Sequence, residues 1–127
     1  MDAPLSYYID LPVSRVHVVY HRQPTFEQWA ATMKEILEDP RFKPGSGILL
    51  DRSKVPHPAA TDYIHRMVDF IETSALQAGA ARWAIVVVDL SSFGMARMAE
   101  LLSMSGNVRG FFVMEEAKAW LSSAGRN

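Results

Sequence analysis

The stretch that most constrains this chain is its C-terminal third, where Arg82-Trp-Ala-Ile-Val-Val-Val-Asp89 leads into Ser91-Ser-Phe-Gly-Met-Ala-Arg-Met98, then Val108-Arg-Gly-Phe-Phe-Val113, then Glu115-Glu-Ala-Lys-Ala-Trp-Leu121. The two short apolar runs read as strands, and the two longer segments carry helical spacing. Strands separated by helices must be joined by crossovers, which calls for a largely parallel sheet with right-handed connections.

Upstream, Tyr7 to Leu11 and Arg15 to Arg22 alternate around Pro12-Val13-Ser14, the pattern of an antiparallel hairpin. Thr25 and Gln28 form a capping box, after which Phe26, Trp29, Ala30, Met33, Ile36 and Leu37 recur at helical spacing until Pro40. Ile48-Leu-Leu-Asp51 does not alternate, which predicts an interior strand covered on both faces. A long helix is expected from Ala59 to Ala78, with Ile64, Val68, Ile71 and Ala75 on one stripe and Gly79 as its C-terminal cap. Ser91-Ser92 is expected to cap the next helix, which Gly106-Asn107 ends, and Val108 to Met114 is the last strand. The expected fold is therefore one α/β domain over residues 1–127, of two to three layers. It has a mostly parallel five-stranded sheet, an antiparallel N-terminal hairpin and four helices, in the order ββαβαβαβα.

Composition narrows the function classes. The 127 residues carry a net charge of −1 and no Lys/Arg cluster, so nucleic acid is not an expected partner. The absence of cysteine removes thiolate nucleophiles and cysteine-based zinc sites and fits a reducing, cytoplasmic location. The longest wholly apolar run, Trp83 to Val88, is far short of the roughly 20 residues that cross a bilayer. Met1-Asp-Ala-Pro4 lacks the basic start and apolar core of a leader.

The run Asp89-x-Ser-Ser-Phe-Gly-Met-Ala-Arg-Met98, the Val108-Arg-x-Phe111 strand and the closing Glu115-Glu-Ala-x-x-Trp-Leu121 helix together resemble the bacterial STAS-like proteins. This group, related to the anti-sigma-factor antagonists, is also described as SpoIIAA-like or STAS/Sec14-like. The Thr25 helix start and Gly47-Ile-Leu-Leu-Asp-Arg-Ser53 fit the same plan. The resemblance implies a non-enzymatic regulatory or protein-interaction domain. In the antagonists a phosphorylatable serine opens the helix after the strand matching Ile48 to Asp51. Here Pro56-His-Pro-Ala-Ala-Thr61 stands in that place without a serine, and Thr61 is the nearest hydroxyl, which weakens a partner-switching role. The Sec14-like side implies an alternative, a lipid or other small apolar ligand.

The residues themselves nominate two regions. The first is a rim of Asp51, Arg52, Ser53 and His57 with Asp89, Ser91 and Arg97, at the C-terminal ends of strands, where open α/β sheets hold ligands. Asp51-x-Ser53 and Asp89-x-Ser91 repeat there. As converging carboxylates they would make a small hydrolase, a second alternative, whereas as turn and cap residues they are structural. The second region is apolar. Tyr63, Met67, Phe70 and Ser74 form a second row on the long helix, and the next helix carries Phe93, Met95, Met98, Leu101, Leu102 and Met104. Packing within the chain, a homodimer or an apolar ligand would each cover that excess. A pocket or dimer surface is accordingly placed at Tyr63, Met67, Phe70, Phe93 and Met98, and the expected partner is another protein or a second copy, with a homodimer the expected state. No cofactor or metal is expected: there is no phosphate-binding glycine loop, and His17 and His21, four apart on a strand, are separated by about 13 Å.

Overall fold

All five strands join one sheet in the order in which the chain makes them. The computed structural model describes residues 3–123; Met1 and Asp2, part of the leader reading, and residues 124–127 lie outside the described residues. The elements are β1 (Leu5–Asp10), β2 (Arg15–Tyr20), α1 (Phe26–Glu38), β3 (Gly47–Asp51), α2 (Thr61–Thr73), α3 (Ala75–Ala78), β4 (Trp83–Val86), α4 (Leu90–Leu102), β5 (Val108–Phe111) and α5 (Met114–Ser122). β1 pairs with β2 antiparallel, and β2, β3, β4 and β5 follow as parallel neighbours. The class and element order are those expected from the sequence, with the long helix divided in two.

Topology then dictates the layers. A sheet that always winds in one direction through right-handed crossovers must place its crossover helices on one face. α1, α2 and α4 share that face and cover a continuous core that includes Val16, Val18, Tyr20, Trp29, Met33, Ile36, Ile48, Leu50, Ile64, Trp83 and Ile85. α5 follows the last strand, is not a crossover, and lies on the other face over Leu49, Ala84, Val86 and Phe111, which it meets with Ala117 and Leu121. β3 and β4 are thus covered on both sides, as their unbroken apolar runs required.

Local chemistry sets the element ends. The Thr25 hydroxyl accepts from the Gln28 amide at 3.1 Å, and the Gln28 side chain accepts from the Thr25 amide at 2.9 Å, completing the box that starts α1. Ser14, in the left-handed region at φ 51°, closes the Leu11–Val13 turn between β1 and β2. The long helix is interrupted at Ser74 (φ −97°, ψ 9°), whose hydroxyl donates back to the Phe70 carbonyl and competes with the helical ladder. Gly79 caps the short α3 at φ 68°; a Cβ there would lie 2.5 Å from that of Pro44. α4 is capped by Asp89, whose carboxylate accepts from the Ser92 amide at 3.1 Å, and not by Ser91 or Ser92 as expected.

The two borders of the sheet are finished differently. At the β5 border, Glu100 reaches down from α4 and accepts the Gly110 amide at 2.8 Å. Gly110 permits this close approach, because a Cβ would fall 2.5 Å from that of Ala96. β1, the other border, is two residues longer than β5.

Candidate interaction surface

The loops that leave the C-terminal ends of β2, β3, β4 and β5 gather at one end of the molecule. The strand order never reverses, so the crevice that a reversal opens in other α/β sheets is not built here. What the loops form is a closed polar layer topped by apolar side chains.

Arg52 lies in the polar layer and is only 2% exposed. Its amide donates to the Val86 carbonyl, its guanidinium donates to the His57 carbonyl at 2.9 Å, and its Cζ sits 5.1 Å from the centre of the Tyr20 ring. Among the described residues no carboxylate comes within ion-pair distance of it. Arg52 therefore ties down the Ser53–Ala60 loop from inside. The Tyr20 and Tyr63 hydroxyls lie in the same layer, and burial pushes both well above the ordinary phenol range. Buried polar atoms without a hydrogen-bond partner concentrate here: Arg52 Nε, Gln23 Oε1, Tyr63 OH, Asp89 Oδ1 and Ser92 Oγ.

The two aspartates of the repeated Asp-x-Ser both turn to backbone. Asp51 Oδ1 accepts the Ser53 amide at 2.9 Å, and Asp89 caps α4. The Ser92 side chain beside it, opposed by burial and reinforced by the Ser92 amide, Arg52 and His57, holds the Asp89 carboxyl below its ordinary range. Asp89 is thus a stable anion, not a proton donor at neutral pH. Ser53, His57 and Ser91 are exposed. Arg97, also exposed, pairs with Glu100 at 2.9 Å, one turn along α4. Of the rim expected from sequence, Arg52 is internal, Asp51, Ser53, His57, Asp89 and Ser91 lie on the loops or element ends beyond β3 and β4, and Arg97 stands apart from them, two turns into α4 beside Glu100 at the β5 border.

The apolar region divides in the same way. Tyr63 and Met67 are buried in the core; Phe70, Phe93 and Met98 are half-buried against it. Tyr63 meets Phe26 and Trp29 edge-on, and Phe70 meets Trp29 edge-on at 5.3 Å, so α1 covers this row of α2 from within the chain.

Leu76 on α3, Leu101 at the end of α4 and Met104 just after it are strongly exposed, and a further set of exposed apolar residues lies just beyond β4 and β5. Val86 and Phe111 are paired in register; two residues further on, Val88 and Val113 are both open to solvent. Leu90, at the first position of α4, is 82% exposed, and Phe112 stacks on Phe93 at 4.5 Å with its outer side uncovered. These four side chains crown the polar rim. Reading Val108 to Met114 as one strand hid Phe112 and Val113 among core positions; the strand ends at Phe111. The detectable signal was Leu90, an isolated large aliphatic residue immediately after a helix cap.

Among the described residues no group of three or more His, Asp or Glu could hold a metal ion, and no helix is long and apolar enough to cross a membrane. No family model matches the chain, and no curated protein is detectably similar to it.

Proposed function

We propose that this chain is a non-enzymatic protein-interaction domain of the STAS-like type, working in the cytoplasm, that takes its partner on the crown of Val88, Leu90, Phe112 and Val113. One observation carries this reading: Val88, Leu90, Phe112 and Val113 are all exposed within four residues of the paired ends of β4 and β5, beside a rim whose aspartates are already engaged. Clustered apolar exposure of this kind marks contact surfaces on soluble domains. Asp89, Ser91 and Asp51 supply the polar border that orients a partner, and Arg52 keeps the loop beside them rigid. The engagement of Asp51 and Asp89 by backbone amides favours contact over bond-making, because a hydrolytic pair needs one carboxyl free to exchange its proton.

The test is photo-crosslinking in the host cell from a photoreactive residue placed at Leu90 or Phe112, with exposed Lys34 on the outer side of α1 as control. The expected result is one protein joined from the crown positions only. Its purified form should bind the chain in solution and lose at least tenfold in affinity to Leu90→Asp. Equal adducts from Lys34, or a turnover abolished by Asp51→Asn with Asp89→Asn in a folded chain, would refute the proposal.

A further inference from the structure

The hydrogen-bond parity of β1 identifies which of its backbone groups are spent. The His21 amide donates to the Pro4 carbonyl at 2.8 Å, and the antiparallel register then pairs Ser6 with Val19, Tyr8 with His17 and Asp10 with Arg15 through bonds directed at β2. The N–H and C=O groups of Leu5, Tyr7 and Ile9 therefore point out of the sheet. Leu5–Asp10 contains no Pro, Lys or Arg, the usual edge blockers. The opposite border is blocked by Glu100.

The two ends of β1 have complementary shapes. At one end Leu11 and Val13, 51% and 50% exposed, project from the turn into β2. At the other, Ala3, Leu5, Ser6, His21 and Arg22 line an open hollow of about 480 Å³, in which Ser6 Oγ and His21 Nε2 are 2.8 Å apart. Tyr7 stands midway, four residues from Leu11 and four from Ala3.

We propose that two copies of this chain pair through β1, antiparallel about a two-fold axis between their Tyr7 residues, to make one continuous ten-stranded sheet. Tyr7 then exchanges both backbone bonds with its counterpart, and Leu5 exchanges them with Ile9 of the second copy. Just beyond the strand ends, this pairing brings the turn that starts at Leu11 of each copy alongside Ala3 of the other, with the Leu11 side chain seated in the partner's hollow. Asp10 comes opposite Pro4, next to the imidazole of His21. Because residue i meets j wherever j meets i, the contact closes on itself as an isologous interface requires. This match of projection to hollow selects a second copy over an unrelated extended peptide. The pairing uses none of the crown residues and stands independently of the partner proposed for them.

The test uses the whole chain and begins with sedimentation equilibrium. A dimer is expected, weakened at least tenfold by Ile9→Pro, which removes an outward N–H and no bond to β2, and by Leu11→Asp. It should be unchanged by Leu90→Asp or by Glu100→Gln. Circular dichroism establishes that each variant is folded. Register is read separately: the chain has no cysteine, so Tyr7→Cys offers one thiol per copy at a Cα separation of about 5.5 Å, within disulfide reach. Mild oxidation should link this variant and not Arg97→Cys. A monomer at all concentrations, a dimer lost to Leu90→Asp, or a dimer indifferent to both Ile9→Pro and Leu11→Asp would each overturn the proposal. So would a folded Tyr7→Cys chain that oxidation fails to link.

Discussion

The two faces of the sheet are built to different depths. On one, three crossover helices seal a large core around Trp29, with Trp29, Met33, Ile36 and Ile48 fully buried. On the other, a single helix covers β3, β4 and β5 through a small cluster, while Tyr8 on β1 remains 55% exposed and stacks on His17 at 4.6 Å. The difference follows from winding. A sheet whose strand order never reverses sends every crossover to one side, and only a helix after the last strand can shelter the other. Stability is concentrated on the first face, and the second, together with the border at β1, is left open for contacts.

Perturbations of the two faces should therefore differ in size. Trp29→Ala removes the centre of the thick face, where the ring meets Tyr63, Phe70 and Trp83; it should cost about 3–5 kcal/mol in urea unfolding and leave much of the chain unfolded. A Leu121→Ala change of similar cost would break the comparison, since the thin face should lose about 2 kcal/mol. Gly110→Ala sets a methyl group against Ala96 and should cost about 1–3 kcal/mol by overpacking. Thr25→Ala should cost about 1 kcal/mol through loss of the α1 cap alone.

The smallest effect is expected from pH. Burial first, then Arg15 and Lys118, lowers the affinity of His17 for a proton, against a weaker pull from Asp10 and Asp51. The unfolded chain therefore binds more protons once pH falls below the ordinary histidine value of about 6.5, and stability should decline from there. His17→Gln should flatten that decline. Asp89 and Asp39 are likewise held below their ordinary range, Asp39 chiefly by the Arg41 guanidinium, so their contribution is present at neutral pH. It is lost only as pH falls to about 3.8 and below. Chemical denaturation at a series of pH values separates the two windows.

Much of this organisation was legible in the residues. Thr25 with Gln28 fixed the start of α1, and Gly79 fixed the end of the helical segment before β4. The unbroken apolar runs in β3 and β4 revealed that both faces of those strands are covered. Side-chain direction at the rim was not legible. An arginine between Asp51 and Ser53 looks solvated in one dimension, and only the turn made by Asp51 and the Tyr20 ring beneath bring Arg52 inward. Likewise, the second apolar row of α2 reads as excess until α1 is seen beside it, because neighbouring helices are set by topology and not by local spacing. The exposed crown was obscured by an uncertainty of two residues in where β5 ends.

The single carboxylate that Glu100 lends to Gly110 has a consequence for how molecules of this kind can aggregate. A flat protein with two sticky rims can be threaded into an endless ribbon, each unit docking to the next. With one rim stoppered from within its own fold, growth by strand addition has a terminus built in, and the largest such object is a pair.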